Sequence, residues 1–99
     1  MYQPIQLSVN TDKDNYGSQD AVTVTITTRK NNQPAPNEVI NLAVFRPTGK
    51  RTFRTVLHTD TNGIAVAVFS LDNKDVTGSY SVEARAADGS LALTSFLVI

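Results

Sequence analysis

Apolar and polar residues alternate in short runs along this chain, and clusters of turn-forming residues cut one run from the next. Ile5, Leu7 and Val9 alternate with Gln6 and Ser8, which predicts a first strand. Thr11 to Asp20 is polar and turn-rich. Val22, Val24 and Ile26 alternate with Thr23, Thr25 and Thr27, the cleanest period-two segment in the chain, and predict a second strand. Lys30 to Asn37 has the Asn- and Pro-rich composition of a loop. Glu38 to Phe45 is the third expected strand, with Ile40, Leu42 and Val44 on one face. Arg46-Pro47-Thr48-Gly49-Lys50 follows as a turn, Pro47 presetting φ and Gly49 permitting a positive φ.

Arg51 to His58 is the fourth expected strand, with Phe53 and Leu57 on a shared face. Thr59 to Gly63 contains the Asn62-Gly63 pair, a strong hairpin signal. Ile64 to Leu71 is the fifth strand. It is apolar on both faces (Ile64, Val66, Val68 against Ala65, Ala67, Phe69, Leu71), which predicts a central or covered position. Asp72 to Gly78 is a turn cluster. Ser79 to Ala87 is the sixth strand, with Tyr80, Val82, Ala84 and Ala86 aligned. Ala87 to Ser90 is a hairpin turn, and Leu91 to Ile99 is the seventh strand. Seven strands with a turn between each pair, in a chain of 99 residues, predict an all-β fold, a seven-stranded antiparallel immunoglobulin-like β-sandwich. A seven-strand barrel is the structural competitor.

Composition agrees and narrows the function. Residues 1–99 are expected to form a single domain excised from a larger multidomain chain. Thr and Val are abundant, and β-branched side chains suit a pleated sheet. The chain has no Cys, which excludes a disulfide, a thiolate metal site and a cysteine nucleophile. Nine basic and nine acidic residues balance to zero net charge, which argues against nucleic acid as a partner. No run of about 20 apolar residues is present, so no direct membrane insertion is expected. The first residues lack the basic head and apolar run of a signal peptide.

Candidate chemistry is sparse. The one His, His58, ends a strand without a companion Ser or Cys motif and reads as a surface residue; no catalytic residue and no cofactor is expected. Asp12 to Gly17 opens like a calcium-binding helix-loop-helix segment, but Tyr16 and Thr23 occupy ligand positions, so that motif fails. The sandwich topology offers another route, because the loops holding Asp12, Asp14 and Asp20 and holding Asp72 and Asp75 lie at one end. Those five carboxylates are the candidate Ca²⁺ ligands at a domain junction; their simpler role is to make turns. Lys50, Arg54 and His58 share parity on the fourth strand. They read as protection of a sheet edge, or as a patch for an anionic glycan or lipid head group. On the last strand one face enters the core, and Leu97 and Ile99 are left for solvent or a neighbouring domain.

Gly78-Ser79-Tyr80-Ser81-Val82 resembles the start of the sixth strand in immunoglobulin-like domains, where a Tyr two residues before a Cys caps a corner through its hydroxyl. That resemblance puts Val82 at the cysteine position and Val24 across from it, joined by apolar packing. Thr11-Asp12-Lys13-Asp14-Asn15-Tyr16-Gly17 resembles the opening of macroglobulin-type (MG2-like) domains. Gln33-Pro34-Ala35-Pro36, Val44-Phe45-Arg46-Pro47-Thr48-Gly49 and Thr59-Asp60-Thr61-Asn62-Gly63-Ile64-Ala65 resemble later motifs of the same family. So do Phe69, Leu71, Gly78-Ser79-Tyr80 and Phe96-Leu97-Val98. Bacterial Ig-like domains of the invasin and intimin type share much of this pattern. The chain departs from it after Tyr16, where Gly17-Ser18-Gln19-Asp20 stands in place of Pro-Gly-Glu. The resemblance implies a non-enzymatic spacer, scaffold or adhesion module of a larger extracellular, cell-surface or periplasmic protein. Its implied partners are neighbouring domains of the same chain, with another surface protein or a glycan beside them. The alternative is an accessory carbohydrate-binding domain on an extracellular hydrolase. Against that stands the lack of Tyr and Trp in the loops starting at Lys30, Thr59 and Ala87.

Overall fold

A computed structural model describes residues 4–71 and 76–99. Among them nine strands form two sheets. They are β1 (Gln6–Thr11), β2 (Asn15–Tyr16), β3 (Ala21–Lys30), β4 (Gln33–Pro34), β5 (Val39–Phe45), β6 (Arg51–His58), β7 (Ile64–Ser70), β8 (Gly78–Ala86) and β9 (Leu91–Val98). The smaller sheet is built on β3, which pairs with β1, β4 and β7. The larger sheet runs β2-β9-β8-β5-β6. Seven of the strands are those expected from the alternation, and the fold is an immunoglobulin-like β-sandwich.

Period-two patterning explains the core. Val22, Val24 and Ile26 of β3 are fully buried, as are Ile40, Leu42 and Val44 of β5 and Tyr80, Val82 and Ala84 of β8. Val24 and Val82, on opposite sheets, lie in one apolar cluster. Phe96 is its aromatic centre. It stacks on Tyr80 at 5.2 Å between centroids and meets Tyr16 edge-on at 5.2 Å. Phe69 follows at 6.4 Å and stacks in turn on Phe53 at 4.6 Å. Such contacts add about 0.5–1.5 kcal/mol each beyond area burial. With no disulfide, they hold the sheets together alongside the aliphatic packing.

Several sequence expectations are corrected. The polar stretch after Thr11 contains a strand: Asn15–Tyr16 crosses to the larger sheet and pairs parallel to β9. The Lys30 to Asn37 loop begins as a tight hairpin, with Asn31 and Asn32 both at positive φ and β4 returning along β3. That is the backbone of a two-residue type I′ turn, which Asn tolerates. Finally, β7 is not central. Among the described residues it pairs with β3 alone, and Ile64, Val66 and Val68 face outward, the last 61% exposed. Their β-branched shape suits an edge strand whose other face, Ala65, Ala67 and Phe69, is buried.

The Asn62-Gly63 signal marks a turn, but not a hairpin, because β6 and β7 belong to different sheets. Asp60 shapes this turn. Its Oδ1 accepts the Asn62 and Ile64 N–H groups, and its carbonyl accepts Gly63 N–H. The Arg46 to Lys50 turn does close a hairpin, with Gly49 at φ 88°.

Candidate functional site

The sandwich is elongated, 47 × 22 × 19 Å, and the chain enters and leaves it at opposite ends. At the entry end, Ile5 N–H donates to Asp88 Oδ2 in the β8–β9 turn at 3.1 Å. At the exit end, Leu97 N–H donates to the Asp14 carbonyl and Ile99 N–H to the Tyr16 carbonyl, both at 2.9 Å. Leu71 N–H also donates there, to the Asp20 carbonyl at 2.9 Å. The exit end therefore gathers the Thr11 to Asp20 loop, the end of β7 and the end of β9.

A small polar device organises this end. Tyr16 is buried, and its hydroxyl donates to Asp12 Oδ1 while accepting Lys13 N–H at 3.0 Å. Asp12 Oδ1 also accepts Thr23 N–H at 3.0 Å, which ties the loop to the start of β3. The Tyr16 hydrogen bond, and then the Thr23 bond, hold the Asp12 carboxyl below the usual carboxylate range. Burial, and then the Asp12 bond, push the Tyr16 phenol above its ordinary value. The Thr11-Asp12-Lys13-x-x-Tyr16 motif is thus a loop lock, in which Tyr16 plugs the core end of the sandwich.

The other carboxylates do comparable local work. Asp20 Oδ2 accepts Gly17 N–H at 2.7 Å, closing a turn. Asp12, Asp14 and Asp20 share the exit end. Among the described residues, however, no three His, Asp or Glu side chains come together in a group that could hold a metal. Asp72 and Asp75 lie outside the described residues.

A second knot, missed in the sequence, joins the Gln33 to Asn37 segment to the β6–β7 turn. Thr28 and Thr59 are the buried polar side chains among the described residues. Both hydroxyls donate to the Ala35 carbonyl, at 2.7 and 2.8 Å, and Thr59 Oγ1 accepts Glu38 N–H at 2.9 Å. Thr28 N–H donates to the Gly63 carbonyl at 2.7 Å, and a Cβ on Gly63 would stand 2.4 Å from the Thr28 carbonyl oxygen. The signal for Thr28 was available, since it continues the buried parity of Val22, Val24 and Ile26.

At the third locus, Tyr80 Oη donates to the Val76 carbonyl at 2.6 Å. This is the corner that the Gly78-Ser79-Tyr80 resemblance implied. His58 and Arg54 are exposed on β6, an edge of the larger sheet, consistent with edge protection. Lys50 lies in the turn before β6. A β-bulge at Val44/Phe45 pairs Arg51 with Phe45, so Arg51 takes the face that Lys50 was expected to share.

These loci are structural locks on an immunoglobulin-like sandwich, and none assembles a nucleophile with a base. The family whose pattern matches is the MG2 domain, over residues 6–98, and the chain belongs to that family. MG2 is a non-catalytic domain of macroglobulins. Comparison with curated protein sequences gives no match. Among solved structures, trypsin-activated alpha-2-macroglobulin from Escherichia coli superposes with a TM-score of 0.83 and 24% identity, over 95% of this chain and 6% of that one. A Salmonella alpha-2-macroglobulin mutant gives 0.85 and 24%, over 96% of this chain and 6% of that one. A tetra-tandem repeat from the extending region of a large adhesion protein gives 0.72 and 20%, over 98% and 25%. These likenesses are likenesses of fold, and this chain spans only a small part of each of those proteins. Among the described residues, no helix is long and apolar enough to cross a membrane.

Proposed function

We propose that this domain is a non-enzymatic structural module, a spacer, scaffold or adhesion unit, within a larger extracellular or cell-surface protein of bacterial type. The observation that supports this most directly is the placement of chain entry and exit at opposite ends of a 47 Å body. Such a body joins its neighbours end to end and sets their separation by its own length. Its stiffness comes from the locks at Tyr16, Thr59 and Tyr80, which fasten loops that would otherwise move. Membership of the MG2 family and the fold shared with an adhesion repeat support the same reading.

Two copies of residues 1–99 joined directly provide the test of geometry. Small-angle scattering should give a maximum dimension close to twice that of one copy. A compact side-by-side particle would overturn the end-to-end reading. Location is tested on the parent protein in intact cells. An external protease should remove the domain's epitope without lysis, and protection equal to that of a cytoplasmic control would overturn the surface assignment.

A further inference from the structure

The outer face of the larger sheet carries a depression of about 290 Å³ that none of the locks uses. Its floor is Ala43 on β5, where a short side chain leaves room between longer neighbours. Cross-strand pairing sets Arg54 of β6 on one side of Ala43 and Glu83 of β8 on the other. Asn41 and Arg85 form the row on one side of Ala43, and Arg51, paired with Phe45, lies in the row on the other side. Arg51 reaches this face because of the bulge. Without the extra residue, positions three apart in a strand point to opposite faces.

The charges do not cancel. Arg85 Nη2 binds Glu83 Oε1 at 2.9 Å, so the one carboxylate among the described lining residues is already paired. Arg51 and Arg54 form no ion pair among the described residues and are exposed. Two unpaired guanidinium groups beside a shallow floor suit carboxylates, which they bind bidentately. The strand carrying them is also an open edge. The Thr59 N–H to Glu38 carbonyl bond fixes the alternation along β5 and β6, so Arg54, Val56 and His58 direct their own N–H and C=O groups away from β5. Backbone donors and acceptors thus lie beside the arginines, where an extended main chain could pair with them.

We propose that β6 and the Ala43 depression form a binding site for an acidic extended polypeptide segment. The segment adds as a strand at the β6 edge, and carboxylates at alternate positions turn over β6 onto Arg54 and Arg51. The Glu83–Arg85 pair forms the far wall. A polypeptide fits better than a sugar because no aromatic side chain is among the described lining residues, while the edge offers main-chain hydrogen bonds. Edge protection by charge, which deters basic or neutral strands, then becomes selection for an acidic one.

The test is an NMR titration of the isotopically labelled 99-residue chain with a short synthetic peptide of alternating Glu and Thr. A Lys–Thr peptide and a heparin-derived oligosaccharide are run in parallel. The Glu–Thr peptide should bind saturably, with the largest amide shifts at Arg54, Val56 and Ala43, and should weaken as ionic strength rises. Arg54→Glu should weaken binding about tenfold or more, and Ala43→Leu, which fills the floor without changing charge, should weaken it as well. Dispersed spectra for both variants show that the fold is kept. No saturable binding of the Glu–Thr peptide, equal binding of the Lys–Thr peptide, or unchanged affinity in Arg54→Glu would overturn the proposal. Binding of the oligosaccharide without the peptide would also overturn it and assign the arginines to sulfated glycan.

Discussion

The Tyr80 hydroxyl donates to the carbonyl of Val76, four residues upstream, at 2.6 Å, and its ring is fully buried against Phe96. Tyr80→Phe keeps the ring stack and removes only the hydroxyl. The expected loss is about 1 kcal/mol, the net value of one such bond, read as a lower urea midpoint at unchanged slope. An unchanged midpoint would mean that the corner adds nothing to stability.

Gly63 should be the least tolerant glycine. It combines φ 74° with a Cβ position 2.4 Å from backbone oxygen, so the neighbour cannot swing aside. Gly63→Ala should cost about 2–4 kcal/mol. Gly49→Ala also meets a positive φ but has open space around it, so it should cost about 1 kcal/mol. Thermal denaturation of the two variants side by side checks the ranking.

Thr59→Val tests the polar knot. The Ala35 carbonyl keeps its bond from Thr28, but Glu38 N–H loses its acceptor. A loss of about 1–3 kcal/mol is expected. Hydrogen exchange should also quicken at Glu38 and Ala35 before it does in β8; uniform quickening would show that the knot is not a local fastening.

The Tyr16–Asp12 lock predicts limits at both ends of the pH scale. Asp12 has its folded pKa lowered, so its contribution is present above the unfolded value near 3.8 and is lost as pH falls through the folded value. Tyr16 has its folded pKa raised, so its contribution is present below about pH 10 and is lost as pH rises through the folded value. Asp12→Asn should flatten the acid limb of the stability curve, and Tyr16→Phe the alkaline limb. Denaturant midpoints across pH for the three proteins would show an error if either limb kept its slope.

The same swap placed on two strands checks the reassignment of β7. Val68→Thr on the exposed face should change stability by no more than about 0.5 kcal/mol. Val24→Thr in the core should cost about 1–3 kcal/mol through burial of a hydroxyl. Equal losses would return β7 to a covered position.

The strands were legible wherever one face is buried. β6 begins and ends at the residues expected, and β3 shows its alternation through Val22, Val24 and Ile26. The pattern misleads where burial and composition separate. Val66 and Val68 look like core residues because β-branched side chains favour any strand, buried or not. Asn15–Tyr16 is a strand only because β9 lies beside it, and no local signal carries a pairing across more than eighty residues. The locks follow the same division. Tyr80 was identifiable from the Gly78-Ser79-Tyr80 pattern. The roles of Asp12, Thr28 and Thr59 depend on partners brought close by folding, and their residue types say only "turn" or "strand". Arg51 was hidden by a bulge, since one inserted residue reverses the parity by which faces are read.

The parallel pairing of β2 with β9 has a mechanical consequence. Both strands run toward the exit end, and the chain is held from opposite ends. Tension on a protein containing this domain would pull β2 back toward the entry while drawing β9 forward. The bonds from Leu97 to Asp14 and from Ile99 to Tyr16 would then be loaded together in shear, rather than opened one after another. A two-residue strand, anchored in the core by Tyr16, is thereby placed where it shares the load when the domain is stretched.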